Sequence, residues 1–162
     1  MGDIIHLLKK NYFLKIKFVN HLVSGSSGGL GKYLAYKFKA DIYNRKNKTT
    51  YDKEKNYKSI IHCAFGRPHS GEEELNYINT QLEVARDLLK YNHSKFIFIS
   101  SIDTNANELS LYAKAKIAVE KLIKNSSDLY LIIKPGILFG SGMRINSIIK
   151  VALNKEQPLT LT

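Results

Sequence analysis

The order in which short apolar runs and helical segments follow one another is the feature that most constrains this chain. Apolar runs of strand length lie at 16–24, 40–43, 59–64, 96–100 and 129–133. Between these runs, apolar residues recur every three or four positions in three stripes: Leu30, Leu34 and Phe38; Leu75, Ile78, Leu82, Ala85 and Leu89; Leu111, Ala115, Ala118 and Leu122. Because that period is typical of amphipathic helices, the sequence predicts alternating strands and helices in an α/β fold with a doubly wound parallel sheet.

The chain contains no internal repeat and no linker rich in proline, serine or glycine. We therefore expect an N-terminal extension at 1–15 and one domain at 16–162. Ser70 and Glu73 have the spacing of a capping box, which predicts that the second helix begins there. The stretch 145–162 predicts a short final helix.

A glycine-rich turn follows the first predicted strand, with Gly25, Gly28 and Gly31 in the pattern G-x-x-G-x-x-G. Glycines at this spacing permit a tight turn, close approach of the backbone to a pyrophosphate and close packing of helix against strand. Because a strand precedes the turn and a helical stripe follows it, the pattern predicts a Rossmann-type dinucleotide site. The alternative is a flexible Gly/Ser loop. The predicted contacts in this turn are Gly25, Ser26, Ser27, Gly28, Gly29, Leu30 and Gly31.

The end of the second predicted strand bears on which nicotinamide cofactor binds. An acidic residue about twenty positions after the first glycine holds the ribose of NAD, whereas a basic residue accommodates the phosphate of NADP. Asn44 and Arg45 stand here, without a carboxylate. This favours NADP slightly, and the alternative is an exposed basic turn.

Tyr112 and Lys116 lie four residues apart on the third predicted helix and therefore on one face. A neighbouring ammonium group favours ionisation of a tyrosine hydroxyl, which can then act as a general acid or base. Upstream, the strand at 96–100 brings Ser100 and Ser101 to its carboxyl end, where open α/β sheets bind ligands. The alternatives are a surface helix with a half-buried tyrosine, a solvated Lys114 and serines that only cap a strand.

The composition limits the possible partners. The net charge of +11 on 162 residues indicates attraction to anions, although the lysines are spread along the chain and could simply form a solvated surface. No nucleic-acid-binding motif accompanies them, so nucleic acid is not expected as a partner. The single cysteine, Cys63, and the spacing of the histidines predict no disulfide and no metal site. Without a signal peptide or a long apolar run, we expect a cytoplasmic protein that does not bind membranes.

Taken in order, these motifs resemble the short-chain dehydrogenase/reductase superfamily, and within it the extended NAD-dependent epimerase/dehydratase branch that acts on nucleotide sugars. The resemblance rests on the glycine turn, Ile61–Ala64, Phe96–Ser101, Tyr112-x-x-x-Lys116 and Lys134–Gly140. The last segment resembles an Arg-Pro-Gly motif beside the nicotinamide, with Lys134 in place of arginine.

The resemblance implies an NAD(P)-dependent enzyme that transfers hydride to or from a nucleotide sugar. Tyr112 would be the acid/base, Lys116 would hold the nicotinamide ribose and lower the tyrosine pKa, and Ser101 would bind the reacting oxygen. Ala64 and Pro135 would also contact the cofactor, and His62 would lie near it as a strand residue. A homodimer is a possible assembly.

The chain departs from the family pattern in three ways. The interval from Ser101 to Tyr112 spans eleven residues and lacks the Tyr-Gly turn that is usual in this branch. The interval from Gly31 to Ser59 is short, so a helix and a strand of the family are expected to be missing. The substrate-binding C-terminal lobe is likewise expected to be largely missing. The alternative function is therefore a non-catalytic NAD(P)-binding module or a truncated remnant of such an enzyme. The motifs leave open whether the reaction is epimerisation, dehydration or reduction.

Overall fold

The computed structural model describes residues 21–44 and 55–138. In chain order, the elements are β1 (Leu22–Ser24), α1 (Gly29–Lys37), β2 (Asp41–Tyr43), β3 (Asn56–Tyr57), β4 (Ile60–His62), α2 (Glu74–Leu89), β5 (Asn92–His93), β6 (Phe96–Ile99), α3 (Leu111–Ser126) and β7 (Tyr130–Ile133). A 3₁₀ turn at Ile102–Asn105 connects β6 to α3. The predicted extension at 1–15, the start of the first predicted strand, Arg45 and the predicted helix beyond 145 all lie outside the described residues.

Five of these strands form one parallel sheet in the order β2-β1-β4-β6-β7. The strands β3 and β5 pair separately as a two-stranded parallel ladder. The chain leaves β1 toward β2 on one side and returns to β4 on the other, so the topology switches direction between β1 and β4. The predicted α/β fold with a parallel sheet of the Rossmann type is confirmed, and its switch point is where such sheets bind ligands.

Alternating strand residues supply two apolar cores, one on each face of the sheet. The larger core joins Leu22, Ile60 and Phe96 to residues of α2 and α3, including Ala85 and Val119. The smaller core consists of Val23 and Ile61 with Ala35 of α1. Because adjacent residues of a strand point to opposite faces, this division places α1 on one face and the pair α2 and α3 on the other.

The helices are where the sequence predicts them, but their buried faces differ from the predicted stripes. In α1 the buried residues are Gly31 and Ala35, while Phe38 is 43% exposed. In α2 the buried residues are Tyr77, Gln81, Ala85 and Leu88, whereas Leu75 is 66% exposed. The stripes were misplaced because contacts with the sheet and with loop groups, such as that of Gln81 with the Gly66 N–H, decide which face of a helix is buried, and hydropathy does not reveal these contacts.

The predicted capping box is wrong. Helix α2 begins at Glu74, and Glu73 at its N-cap makes no side-chain capping hydrogen bond. The carboxylate of Glu72 instead accepts a hydrogen bond from the His69 N–H at 2.9 Å. Gly71, with φ of +77°, turns the chain between Ser70 and the helix and delays the helix start. This shift lengthens the loop that follows β4.

Candidate functional site

The glycine turn between β1 and α1 is closed by direct backbone contact. Gly25 has φ of +75°, and a Cβ there would lie 2.6 Å from the backbone nitrogen of Ala64. A Cβ on Gly31 would lie 2.3 Å from the carbonyl oxygen of Gly25. Since any side chain would break these contacts, the turn, the start of α1 and the loop after β4 form one tightly packed backbone unit.

Gly28 differs from these two glycines. Its backbone is extended, with φ of −171°, and a Cβ there would meet nothing within 4 Å. Gly28 is the N-cap of α1 and provides no side-chain cap, so Gly29 and Leu30 begin the helix next to open space. Free N–H groups and the positive end of a nine-residue helix dipole fit an anionic group such as a pyrophosphate.

A cleft of about 470 Å³ opens at this point, along the carboxyl ends of β1, β2 and β4. Its lining brings together five of the residues expected to bind the cofactor, which are Gly25, Ser26, Ser27, Asn44 and Ala64. Sequence reasoning missed the other lining residues, which are Ile42, Tyr43, Phe65, Gly66, Gln81 and Val84. We call this space the carboxyl-edge cleft.

A second cleft of similar volume lies at the opposite edge of the sheet, where His21, Ser59, Lys95 and Leu129 precede their strands. Ligands of open parallel sheets bind at the carboxyl ends of the strands and at the switch point. The carboxyl-edge cleft has both properties, so it is the candidate functional site.

Helix α2 holds the loop that forms one wall of this cleft. The hydroxyl of Tyr77 donates a hydrogen bond of 2.6 Å to the Gly66 carbonyl oxygen. The Gly66 N–H donates to the side-chain oxygen of Gln81, at 3.4 Å. Tyr77 and Gln81 lie four residues apart on the buried face of α2 and together hold both polar groups of one residue. The sequence did not single out either residue, because no local pattern reveals a partner in the loop after β4.

A buried polar contact joins the ends of β1 and β4. The hydroxyl of Ser24 lies 2.8 Å from His62 Nδ1 and accepts a hydrogen bond from the Ala64 N–H at 3.3 Å. Burial, and secondarily the charge of Lys116, lower the pKa of His62 to about 3. The imidazole is therefore neutral at physiological pH and holds the ends of β1 and β4 together beside the cleft, while its expected place near a cofactor stays a prediction.

Tyr112 and Lys116 occupy adjacent turns of α3, as predicted. The ammonium nitrogen of Lys116 lies 5.4 Å from the Tyr112 ring centroid and donates a hydrogen bond of 2.6 Å to the Ile99 carbonyl oxygen. It also lies 4.0 Å from the centroid of the Phe65 ring and 4.8 Å from that of Phe98. Lys116 is only 2% exposed, so aromatic rings and backbone enclose the ammonium group.

The charge of Lys116 is also modified by its surroundings. Burial lowers the pKa of Lys116 to about 7, and Cys63 and Glu120 act against this shift. Burial raises the pKa of the neighbouring Cys63 thiol to about 12, against the effect of Lys116. At neutral pH the lysine therefore lies near its titration midpoint, whereas the cysteine is a neutral thiol.

The two serines after β6 have different partners. The buried Ser100 hydroxyl donates to the Glu120 carboxylate, which also lies 3.4 Å from the ammonium group of Lys134. Ser101 donates to Asp103 at 3.0 Å and caps the 3₁₀ turn by accepting from the Asp103 N–H. The Ser101 hydroxyl is thus in the more accessible position of the two, and its role in binding a reacting oxygen stays a prediction.

The cleft lining does not include the other described residues that were expected to bind the cofactor, which are Gly28, Gly29, Leu30, Gly31, Lys116 and Pro135. The carbonyl oxygen of Pro135 accepts a hydrogen bond from the Ile102 N–H at 3.1 Å, which ties the segment after β7 to the 3₁₀ turn. Lys114 was expected to be solvated; it is exposed but forms an ion pair of 2.8 Å with Glu74 of α2. No helix in the described part of the chain is long and apolar enough to cross a membrane.

Solved structures that share this fold include enzymes in complex with NAD or NADP. A dTDP-4-dehydrorhamnose reductase from Bacillus anthracis in complex with NADP is 21% identical, with a TM-score of 0.62. The enzyme WbmG from Bordetella bronchiseptica in complex with NAD is 13% identical, with a TM-score of 0.63. A UDP-glucuronic acid 4-epimerase from Bacillus cereus in complex with NAD is 16% identical, with a TM-score of 0.58. At this identity the likeness confirms the fold.

These alignments cover 83%, 84% and 76% of this chain, but only 58%, 60% and 58% of the respective solved chains. The chain thus spans less than two thirds of the length of these proteins. No family model and no curated protein matches the sequence.

Proposed function

We propose that this chain is the NAD(P)-binding domain of an oxidoreductase or epimerase that acts on a nucleotide sugar. The observation that carries the proposal is the carboxyl-edge cleft at the switch point of the sheet, with the open backbone of Gly28 at the start of α1. The solved structures of similar fold, which hold NAD or NADP, support the same ligand class.

The cleft residues suggest how the cofactor is held. N–H groups at the start of α1, from Gly28 to Leu30, bind the pyrophosphate, and Ser26 and Ser27 add hydroxyl groups. Asn44 at the end of β2 lies on the adenosine side, where the absence of a carboxylate and the basic Arg45 favour NADP slightly.

The catalytic part of the proposal concerns α3. Tyr112 exchanges a proton with the substrate hydroxyl or carbonyl oxygen, Lys116 holds the ribose and favours the tyrosinate, and Ser101 binds the reacting oxygen. The bound nicotinamide supplies the hydride acceptor or donor. A homodimer and a cytoplasmic location remain predictions.

A second candidate function is a module that binds NAD(P) without turnover. The enclosure of Lys116 favours it, because the ammonium group makes its contacts to Ile99 and to aromatic rings rather than to the cleft.

The first experiment is calorimetric titration of the chain with NADPH and NADH. We expect dissociation constants in the micromolar range for the wild type and no binding for Gly28→Trp. The extended backbone accepts the new side chain, which fills the open space at the start of α1 where the pyrophosphate is proposed to bind. Lys124→Trp, at an exposed position late in α3, is the matched control and should bind as the wild type does. A folded wild type that binds neither dinucleotide contradicts the proposal.

The second experiment separates the two candidate functions. Nucleotide sugars are screened for turnover with the wild type and Tyr112→Phe. An enzyme should lose activity by on the order of 10²- to 10⁴-fold in the variant, with unchanged cofactor affinity, because only the proton transfer is removed. Binding of NAD(P) without turnover of any sugar favours the non-catalytic module.

A further inference from the structure

The ammonium group of Lys116 is sealed off from the carboxyl-edge cleft. It is bonded to the Ile99 carbonyl oxygen, and the rings of Phe65, Phe98 and Tyr112 lie within 5.4 Å of it. The described residues that line the cleft include Phe65 but neither Tyr112 nor Lys116. A ligand in the cleft therefore reaches Lys116 only if one of the enclosing groups moves.

Phe98 is unsuited to that movement. It lies on β6, within the sheet, is 0% exposed, and its ring is stacked on His62 at a centroid distance of 5.2 Å. Rotation of this ring out of the way would open a cavity in the apolar core, which is unfavourable.

Phe65 has a different setting. It follows β4 in a loop, is only partly buried, and lines the cleft on one side. On its other side, its ring lies 4.0 Å from the Lys116 ammonium nitrogen and 5.3 Å from the Tyr112 ring centroid. Because the Gly66 backbone is held by Tyr77 and Gln81, movement at this point is confined to the Phe65 side chain, whose ring also packs on those of Tyr77 and Phe98.

We infer that Phe65 determines how much of a dinucleotide the domain engages. The cleft takes the adenosine diphosphate half, and the nicotinamide riboside half reaches Tyr112 and Lys116 only when the Phe65 ring rotates away. This inference rests on the proposed function and adds a specificity-determining residue to it. Opening exchanges the cation–π contact of Lys116 with Phe65 for contacts to the ribose hydroxyls.

The test compares the affinities of ADP and NADH, measured by calorimetry, in the wild type and in Phe65→Ala. In the wild type the two ligands should bind within about threefold of each other, because only the shared half gains contacts. In Phe65→Ala the affinity for NADH should rise at least tenfold relative to that for ADP. If the alanine variant is unstable, Phe65→Leu takes its place, because it keeps an apolar side chain at this position. It should raise the affinity for NADH relative to that for ADP in the same way.

A second substitution, Lys116→Met, shows whether the gain in NADH affinity comes from contacts between the ligand and Lys116. In the Phe65→Ala background, Lys116→Met should remove the gain in NADH affinity. Phe38→Ala, which shortens an aromatic side chain at the C-cap of α1, outside the cleft lining, is the matched control and should not change the ratio.

The possible outcomes distinguish the role of Phe65 from the proposed dinucleotide site itself. If both ligands bind but Phe65 variants leave their ratio unchanged, the role of Phe65 is overturned while the dinucleotide site stands. NADH binding in the wild type that is far tighter than ADP binding and is weakened by Lys116→Met also overturns it. If neither ligand binds to the folded wild type, the proposed function fails and this inference fails with it.

Discussion

The candidate site has two parts, the glycine turn and the region around Tyr112 and Lys116, and different kinds of contact hold them together. The glycine turn is formed by backbone on backbone, where Gly25 lies against Ala64 and Gly31 against Gly25. The region around Tyr112 and Lys116 is formed by side chains, with an ammonium group enclosed by rings. The first half is therefore pre-organised for an anion, whereas the geometry and charge of the second depend on burial and on the position of one aromatic ring.

The largest expected effect is a loss of stability on substitution in the glycine turn, where backbone packs on backbone. In Gly31→Ala, the new methyl group meets the Gly25 carbonyl oxygen at 2.3 Å. We expect a loss of about 3 kcal/mol or more in the free energy of unfolding, because backbone must move to relieve the overlap. Urea denaturation measures it.

The control is Gly28→Ala, whose methyl group enters open space on an extended backbone. Its unfolding free energy should change by less than about 1 kcal/mol. Equal losses in the two variants would show that the glycine turn is not held by close backbone contact.

A smaller effect is expected in the region around Tyr112 and Lys116, where stability should depend on pH. Burial lowers the pKa of Lys116 to about 7 from the ordinary value of 10.5, so between these values the unfolded chain binds more protons than the folded one. The contribution of Lys116 to stability is therefore most unfavourable below pH 7 and improves as the pH rises, by up to about 1.4 kcal/mol per pH unit.

The measurement is the difference in unfolding free energy between wild type and Lys116→Met at pH 6 to 9. Taking the difference cancels the pH dependence contributed by titratable groups that both proteins share. The stability of the wild type relative to this variant should increase with pH. Lys114→Met, which removes an exposed lysine from the same helix, should show a nearly constant difference. A constant difference for Lys116→Met as well would mean that this lysine titrates normally.

The smallest expected effect is a change in cofactor preference on substitution in the carboxyl-edge cleft. Asn44→Asp places a carboxylate at the end of β2, where it can accept hydrogen bonds from ribose hydroxyls and repels a ribose phosphate. We expect the ratio of NADH to NADPH affinity to rise by about tenfold, equivalent to about 1.4 kcal/mol. Asn56→Asp, the same change outside the cleft lining, controls for net charge, and a similar ratio in both variants would place the adenosine ribose away from Asn44.

Much of the fold could be predicted because strands and helices follow from local periodicity. The strand β6 appears as Phe-Ile-Phe-Ile, and the chain order of the elements follows from the spacing of such runs. The faces of the helices could not be predicted as well. In α2, Tyr77 and Gln81 face inward because Gly66 lies there to accept and donate hydrogen bonds, and no local pattern reveals that partner.

By itself the sequence determined that the chain turns tightly at Gly25 and that Tyr112 and Lys116 share one face of a helix, since backbone sterics and the helical repeat act over a few residues. Only the tertiary structure decided that Ser24 meets His62, that Phe65 covers Lys116 and that Ser100 is bonded to Glu120. These partners lie between 20 and 51 residues apart along the chain. Burial and electrostatic interaction depend on distance in space, which the sheet topology sets and which spacing along the sequence does not encode.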